Sequence, residues 1–204
     1  MKTVDGRLHV VSGSSRCGKS TQVAKEVKSE KRVVAWDPEA QWCDQPGFRK
    51  ITTKEELLAA IQTKGHMRIA YVAGGDLKEA FNFLCKLVMY AGRFIAPLVF
   101  VAEELADVTT PSKAPGEWGI LVRRGLKRGI TIYAISQRWA EADKTAMGNA
   151  SDFICFMPRP TDLKYVAQKT GIDIDELAAL KPFEFIKFDP VTKDKDQKTL
   201  RFRD

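Results

Sequence analysis

Gly13-Ser14-Ser15-Arg16-Cys17-Gly18-Lys19-Ser20 fits G-x-x-x-x-G-K-[ST] without a mismatch. This is the pattern of a loop whose backbone N–H groups cradle phosphate. The apolar run Leu8, Val10, Val11 ahead of it reads as a short buried strand. Thr21 to Lys28, with Val23, Ala24 and Val27, reads as a helix behind it. Strand, loop and helix together are the context the pattern requires. Gly13 and Gly18 let the backbone turn tightly, so that successive N–H groups point inward and the helix N-terminus adds its positive end. Lys19 then neutralises the β- and γ-phosphates, and the Ser20 hydroxyl holds Mg²⁺. The expected nucleotide-binding set is Gly13, Ser14, Ser15, Arg16, Cys17, Gly18, Lys19, Ser20 and Thr21. An ordinary Gly/Ser turn is the alternative. Cys17 fills a position the pattern leaves free and reads as a bystander rather than a nucleophile.

Working outward, short apolar segments alternate with helical ones. Strands are expected at Leu8–Ser12, Arg32–Trp36, Arg68–Ala73, Leu98–Ala102, Thr131–Ser136, Phe153–Met157, Glu184–Phe188 and Thr199–Arg203. Helices are expected at Lys19–Lys28, Thr53–Gln62, Leu77–Gly92, Trp118–Arg128, Asp162–Thr170 and Ile174–Leu180. Thr53 reads as an N-cap, and Gly92 and Gly171 read as stops. The alternation predicts an α/β fold with a mostly parallel central sheet flanked by helices. The Lys-rich tail after Asp189 predicts a C-terminal β-hairpin. At 204 residues and 44% hydrophobic content, the chain is expected to form a single domain, residues 1–204. No stretch approaches the ~18 apolar residues of a membrane span, so a soluble, cytoplasmic protein is expected. Cys17, Cys43, Cys85 and Cys155 lack the spacing of a zinc site or a disulfide framework.

Two further strands end in reactive side chains. Leu98 to Ala102 runs into Glu103 and Glu104, the form of a Walker B element. One carboxylate, Glu103, serves the metal together with Ser20, and the other, Glu104, orients or deprotonates an attacking water. The metal-side residue is more usually Asp, and two solvent-facing glutamates opening a helix are the alternative. Thr131 to Ser136 ends in Gln137 and Arg138. Ligands gather at the carboxyl ends of parallel strands, so Gln137 is expected beside Ser20 and Glu103, where its amide can bond both a phosphate oxygen and a water. A capping role is its alternative. Between these strands lies Arg123-Arg124-Gly125-Leu126-Lys127-Arg128. One arginine of this segment can act as a finger inserted from a neighbouring subunit. A solvated or DNA-facing basic helix end is the other reading. The net charge of +7 favours a polyanionic partner.

The succession G-S-S-R-C-G-K-S, V-V-A-W-D-P, L-V-F-V-A-E-E, R-R-G-L-K-R-G-I-T-I-Y-A-I-S-Q-R and D-F-I-C-F resembles the FtsK/HerA class of P-loop ATPases, and within it the small viral genome-packaging ATPases. D-L-K-Y-V-A-Q-K-T-G-I and F-E-F-I-K-F-D extend the resemblance over almost the whole chain. It implies a RecA-like fold that binds ATP with Mg²⁺. It also implies a homo-oligomeric ring, a hexamer, with active sites between subunits, and hydrolysis that drives double-stranded DNA through a central channel. A capsid vertex or portal protein is the implied further partner, and the host cytoplasm or the packaging vertex the implied location. Position by position, it places Walker A roles on Lys19 and Ser20, Walker B roles on Glu103 and Glu104, and the sensor role on Gln137. The family's usual finger position holds Leu126, so Arg128, the arginine nearer the strand, ranks ahead of Arg124. Lys113 and Arg138 become candidate contacts to the DNA backbone. A small nucleoside or nucleotide kinase is the competing function, and a non-catalytic nucleotide switch is a third.

Overall fold

Leu8–Ser12, Arg32–Trp36, Leu98–Ala102 and Asp152–Phe156 are buried at every position. Strands without a polar face must be covered on both sides, as in a parallel sheet layered with helices. A computed structural model, describing residues 5–94, 97–111, 114 and 116–201, shows that arrangement. The strands are β1 (Leu8–Ser12), β2 (Arg32–Trp36), β3 (Arg49–Ile51), β4 (Met67–Tyr71), β5 (Leu98–Ala102), β6 (Ile130–Ser136), β7 (Asp152–Phe156), β8 (Glu184–Phe188) and β9 (Lys195–Thr199). They form one sheet in the order β3-β4-β2-β5-β6-β1-β7-β8-β9. The strands from β3 through β7 in that order pair in parallel, and β8 and β9 add an antiparallel hairpin. The register is fixed at the centre, where Val10 of β1 lies opposite Ala134 of β6 and Phe153 of β7.

The helices are α1 (Lys19–Glu26), α2 (Lys54–Ile61), α3 (Leu77–Phe94), α4 (Leu105–Val108), α5 (Gly116–Arg124), α6 (Lys144–Gly148), α7 (Pro160–Thr170) and α8 (Ile174–Ala178). One face of the sheet is packed by α2, α3, α5, α7 and α8 through side chains such as Leu57, Phe81, Trp118, Val166 and Leu177. The other is covered by Val23 and Val27 of α1 and by Trp42 from the segment after β2. Burying that much apolar area, at about 25 cal/mol per Å², is what draws the sheet and its helices together. Thr53 caps α2 as expected, in a capping box with Glu56. Gly171 ends α7 in the left-handed conformation at φ 77°.

Several expected boundaries move, each for a local reason. Gly92 does not stop α3, which continues to Phe94. A Cβ on Gly92 would fall 2.3 Å from the Ile130 side chain, so this glycine lets the helix approach β6. The expected helix Trp118–Arg128 is α5 followed by a 3₁₀ turn, Leu126–Arg128. They part at Gly125, where a Cβ would fall 2.6 Å from the Leu121 carbonyl oxygen. The last strand is Lys195–Thr199 rather than Thr199–Arg203, of which residues 202–203 lie outside the described residues. Lys195 and Lys198 therefore belong to a strand exposed at every position, and the turn is formed by the residues between Asp189 and Asp194. No helix among the described residues is long and apolar enough to cross a membrane.

Candidate active site

The carboxyl ends of the parallel strands meet at one edge of the sheet, and a cleft of about 610 Å³ opens there. Lys19, Ser20, Glu103, Glu104 and Gln137 all line it. The sheet order explains why. β1, which feeds the phosphate loop, runs beside β6, and β6 runs beside β5.

The loop after β1 needs conformations that only small residues take without strain. Gly13 sits at φ 145°, and a Cβ there would fall 2.6 Å from Phe156 Cβ and 2.8 Å from Cys17 Sγ. Gly18 sits at φ 104° and Arg16 at φ 59°. The Ser14 N–H donates to the Met157 carbonyl oxygen at 2.8 Å, which ties the loop to the end of β7. α1 begins at Lys19 with no side-chain cap from Gly18. Its first N–H groups therefore have no capping side chain, the usual arrangement at a phosphate-binding helix terminus. The Lys19 ammonium is buried and donates to the Ser14 carbonyl oxygen at 2.8 Å, across the mouth of the loop. Burial pushes the Cys17 thiol up, although the Lys19 charge opposes this. Cys17 is thus a packed thiol and not a poised thiolate.

Glu103 is buried, and Trp42 Nε1 donates to its Oε1 at 2.8 Å. Burial pushes its carboxyl above the usual carboxylate range, while hydrogen bonds from Ser20 and Trp42 and the charge of Lys19 pull it back. Trp42 is itself set by Asp37 at the end of β2. The Asp37 carboxylate accepts the backbone N–H groups of Gln41 at 2.8 Å, Trp42 at 2.9 Å and Cys43 at 3.0 Å. Glu104 holds a left-handed backbone, φ 45° and ψ 52°, which a non-glycine residue adopts at a cost of about 1–3 kcal/mol. Its Oε1 accepts from Gln137 Nε2 at 2.5 Å, and Gln137 Oε1 in turn accepts from Arg159 Nη2 at 3.4 Å. The Gln137 amide is therefore held at both ends, with its donor side fixed toward Glu104. A hydroxyl and a carboxylate in contact, Ser20 and Glu103, are hard oxygen donors that suit Mg²⁺, which takes its remaining ligands from phosphate and water.

Arg124 and Arg128 lie elsewhere. They precede β6, whereas Gln137 follows it, so a full strand of seven residues, about 20 Å, separates them from the cleft. Arg138 lines the cleft but pairs with Glu141 at 3.2 Å. Lys113 lies outside the described residues. Trp42 and Arg159 belong to the site without any motif announcing them, and Asp37 and Phe183 fall within V-V-A-W-D-P and F-E-F-I-K-F-D with no role attached to either. Asp37-Pro38 does carry a turn signal directly after a strand, and Arg159 directly precedes the proline that opens α7.

Solved structures with this architecture are known. The genome packaging NTPase B204 from Sulfolobus turreted icosahedral virus 2, in complex with AMPPCP, superposes with a TM-score of 0.80 at 14% identity, covering 97% of this chain and 99% of that one. The chain shares the fold of that NTPase. The bacterial conjugative coupling protein TrwBdeltaN70, in complex with sulphate, shares it at a TM-score of 0.71 and 10% identity, over 98% of this chain and 87% of that one. In sequence, the chain is 34% identical over 148 residues to Protein P9 of Pseudoalteromonas phage PM2, 72% of this chain and 66% of the relative. It thus spans just under two thirds of that protein's length. No protein-family description matches the chain.

Proposed function

We propose that the chain is an ATP-hydrolysing motor that translocates double-stranded DNA, packaging a viral genome as one subunit of a homo-oligomeric ring. The observation that carries this reading is the Gln137–Glu104 hydrogen bond facing the phosphate loop in one cleft. Transfer to an acceptor hydroxyl has no need of a second carboxylate buttressed by an amide; activation of water does. Lys19 and the uncapped start of α1 hold the phosphates. Ser20 and Glu103 would hold Mg²⁺, which would supply charge neutralisation at the phosphates. Glu104 accepts a proton from the attacking water as the water oxygen bonds the γ-phosphorus and the bond to the β–γ bridging oxygen breaks, leaving ADP and phosphate. Gln137 keeps Glu104 aimed and exchanges that bond for the water or the phosphate as the reaction proceeds. Arg128, which cannot reach its own cleft, serves the neighbouring subunit. The name of B204 as a genome packaging NTPase and the shared fold support the packaging role.

The deciding experiment measures ATP hydrolysis with and without long double-stranded DNA, alongside the oligomeric state in ATP. Hydrolysis by an oligomer, stimulated by DNA and abolished in Glu104→Gln while ATP still binds, is the expected result. Phosphate transfer to a nucleoside by a monomer, or turnover unchanged in Glu104→Gln, would overturn it.

A further inference from the structure

We propose that Phe183 is the platform on which the base of the nucleotide stacks, so that this end of the cleft selects for an aromatic base by its face and not by its hydrogen-bonding edge. The inference rests on the nucleotide reading of the cleft and concerns a residue outside the phosphate loop and the catalytic carboxylates. Phe183 lies between α8 and β8 and lines the same cleft as Lys19 and Glu104. It holds φ 69°, a left-handed conformation that a bulky side chain avoids and that persists only where the surroundings impose it.

The surroundings are specific. The Leu200 N–H donates to the Phe183 carbonyl oxygen at 2.7 Å, the Glu184 N–H to the Lys181 carbonyl oxygen at 3.0 Å, and the Lys181 N–H to Glu184 Oε2 at 3.0 Å. Pinned this way, the half-buried ring lies against the phosphate loop. A Cβ added to Gly18 would fall 3.2 Å from Phe183 Cδ1 and 2.8 Å from Leu200 Cδ2. A strained aromatic residue in the wall of a binding cleft is the kind of outlier from which a role can be inferred.

The sheet order says which part of the ligand meets it. Glu104 and Gln137 follow β5 and β6, on one side of β1. Phe183 precedes β8, which runs antiparallel two positions to the other side of β1, so its start lies at the same sheet edge as the ends of the parallel strands. From β5 to β8 is four strand spacings, roughly 19 Å. A nucleoside triphosphate with its γ-phosphate beside Glu104 and its inner phosphates over Lys19 and Ser20 therefore extends its base toward β8. Every base has a π-face, so stacking tolerates adenine and guanine alike.

The test compares wild type, Phe183→Ala and Phe183→Tyr by calorimetric titration with ATP, GTP and tripolyphosphate, a base-free probe of the phosphate loop. Thermal melting checks that the variants fold. Phe183→Ala should weaken ATP and GTP alike, by about tenfold, and leave tripolyphosphate unchanged. Phe183→Tyr, which keeps an aromatic face, should retain wild-type affinity for all three. Equal weakening of ATP and tripolyphosphate in Phe183→Ala would reduce the ring to a prop for Gly18 and overturn the proposal. So would unchanged ATP affinity, or a loss in Phe183→Tyr as large as in the alanine variant. Failure of the wild type to bind either ATP or tripolyphosphate would remove the nucleotide reading itself, and the base platform with it.

Discussion

Asp37→Asn isolates what holds the Glu103 carboxylate in place. Asp37 is 1% exposed, and its two oxygens divide three backbone donors: Oδ1 takes Gln41, and Oδ2 takes Trp42 and Cys43. Asparagine has one acceptor oxygen. With the amide nitrogen in the Oδ1 place, the Gln41 bond is lost; with it in the Oδ2 place, two bonds are lost and an NH₂ faces two N–H groups. Hydrogen bonds to a charged group contribute about 1.5–3 kcal/mol each, so the substitution should cost about 2–4 kcal/mol. For a chain of this size that lowers Tm by roughly 5–15 °C. Denaturant unfolding without nucleotide gives the stability, and ATP titration gives the second effect, because the released segment carries Trp42 and its bond to Glu103. Since Asp37 acts on Glu103 through Trp42, Asp37→Asn and Trp42→Phe should be less than additive in ATP affinity, with a coupling of about 0.5–3 kcal/mol. The exposed neighbour Asp44→Asn should stay within about 0.5 kcal/mol of wild type. A stability loss under about 1 kcal/mol, or strict additivity with Trp42→Phe, would refute the chain from Asp37 to Glu103.

Other outcomes follow from the same geometry. Arg159→Ala should lower kcat about fivefold with KM unchanged in steady-state ATPase assays, because one hydrogen bond on Gln137 is lost and no phosphate contact goes with it; a change in KM alone would contradict that role. Mixing Arg128→Ala with Glu104→Gln should restore hydrolysis at hybrid interfaces, and no rescue in rings shown to be mixed would count against Arg128 as the donated arginine. Far from the cleft, burial pushes the Asp152 carboxyl up, but the His9 hydrogen bond and charge, with Lys187 and Arg7, hold it below the usual carboxylate range. A depressed carboxyl stabilises above its ordinary range, and that stability is lost as pH falls through the depressed value. Urea unfolding from pH 7 to pH 2 should therefore show wild type losing an advantage that Asp152→Asn lacks throughout, about 2–3 kcal/mol at neutral pH; parallel curves would exclude it.

The parts legible in the sequence were those where one local rule governs. β1, β2 and β5 fall where their apolar runs place them, because buried strands have no polar face to blur the pattern, and β8 falls in place on its buried Phe185, Ile186 and Phe188. β3 escaped because only Ile51 of its three residues is buried. β9 was read too late in the chain because an edge strand of Lys, Asp, Gln and Thr has no apolar alternation, whereas Thr199 to Arg203 has some. α4 and α6, of four and five residues, are too short to show a helical period. In the site, Lys19, Ser20, Glu103, Glu104 and Gln137 were readable because each sits at a fixed offset from a strand end. Asp37, Trp42, Arg159 and Phe183 were not, because what recruits them is strand order, and no spacing along the chain encodes which strands become neighbours.

The packing of Leu200 against Gly18 has a consequence for synthesis. The phosphate loop is made before the elements around it: β1 cannot be enclosed until β6 and β7 exist, and the wall over Gly18 waits for residues made later still. A nascent chain stalled before Leu200 would carry the whole loop and lack its cover. Closure of the wall over the loop then waits until Leu200 has been made, long after the loop itself.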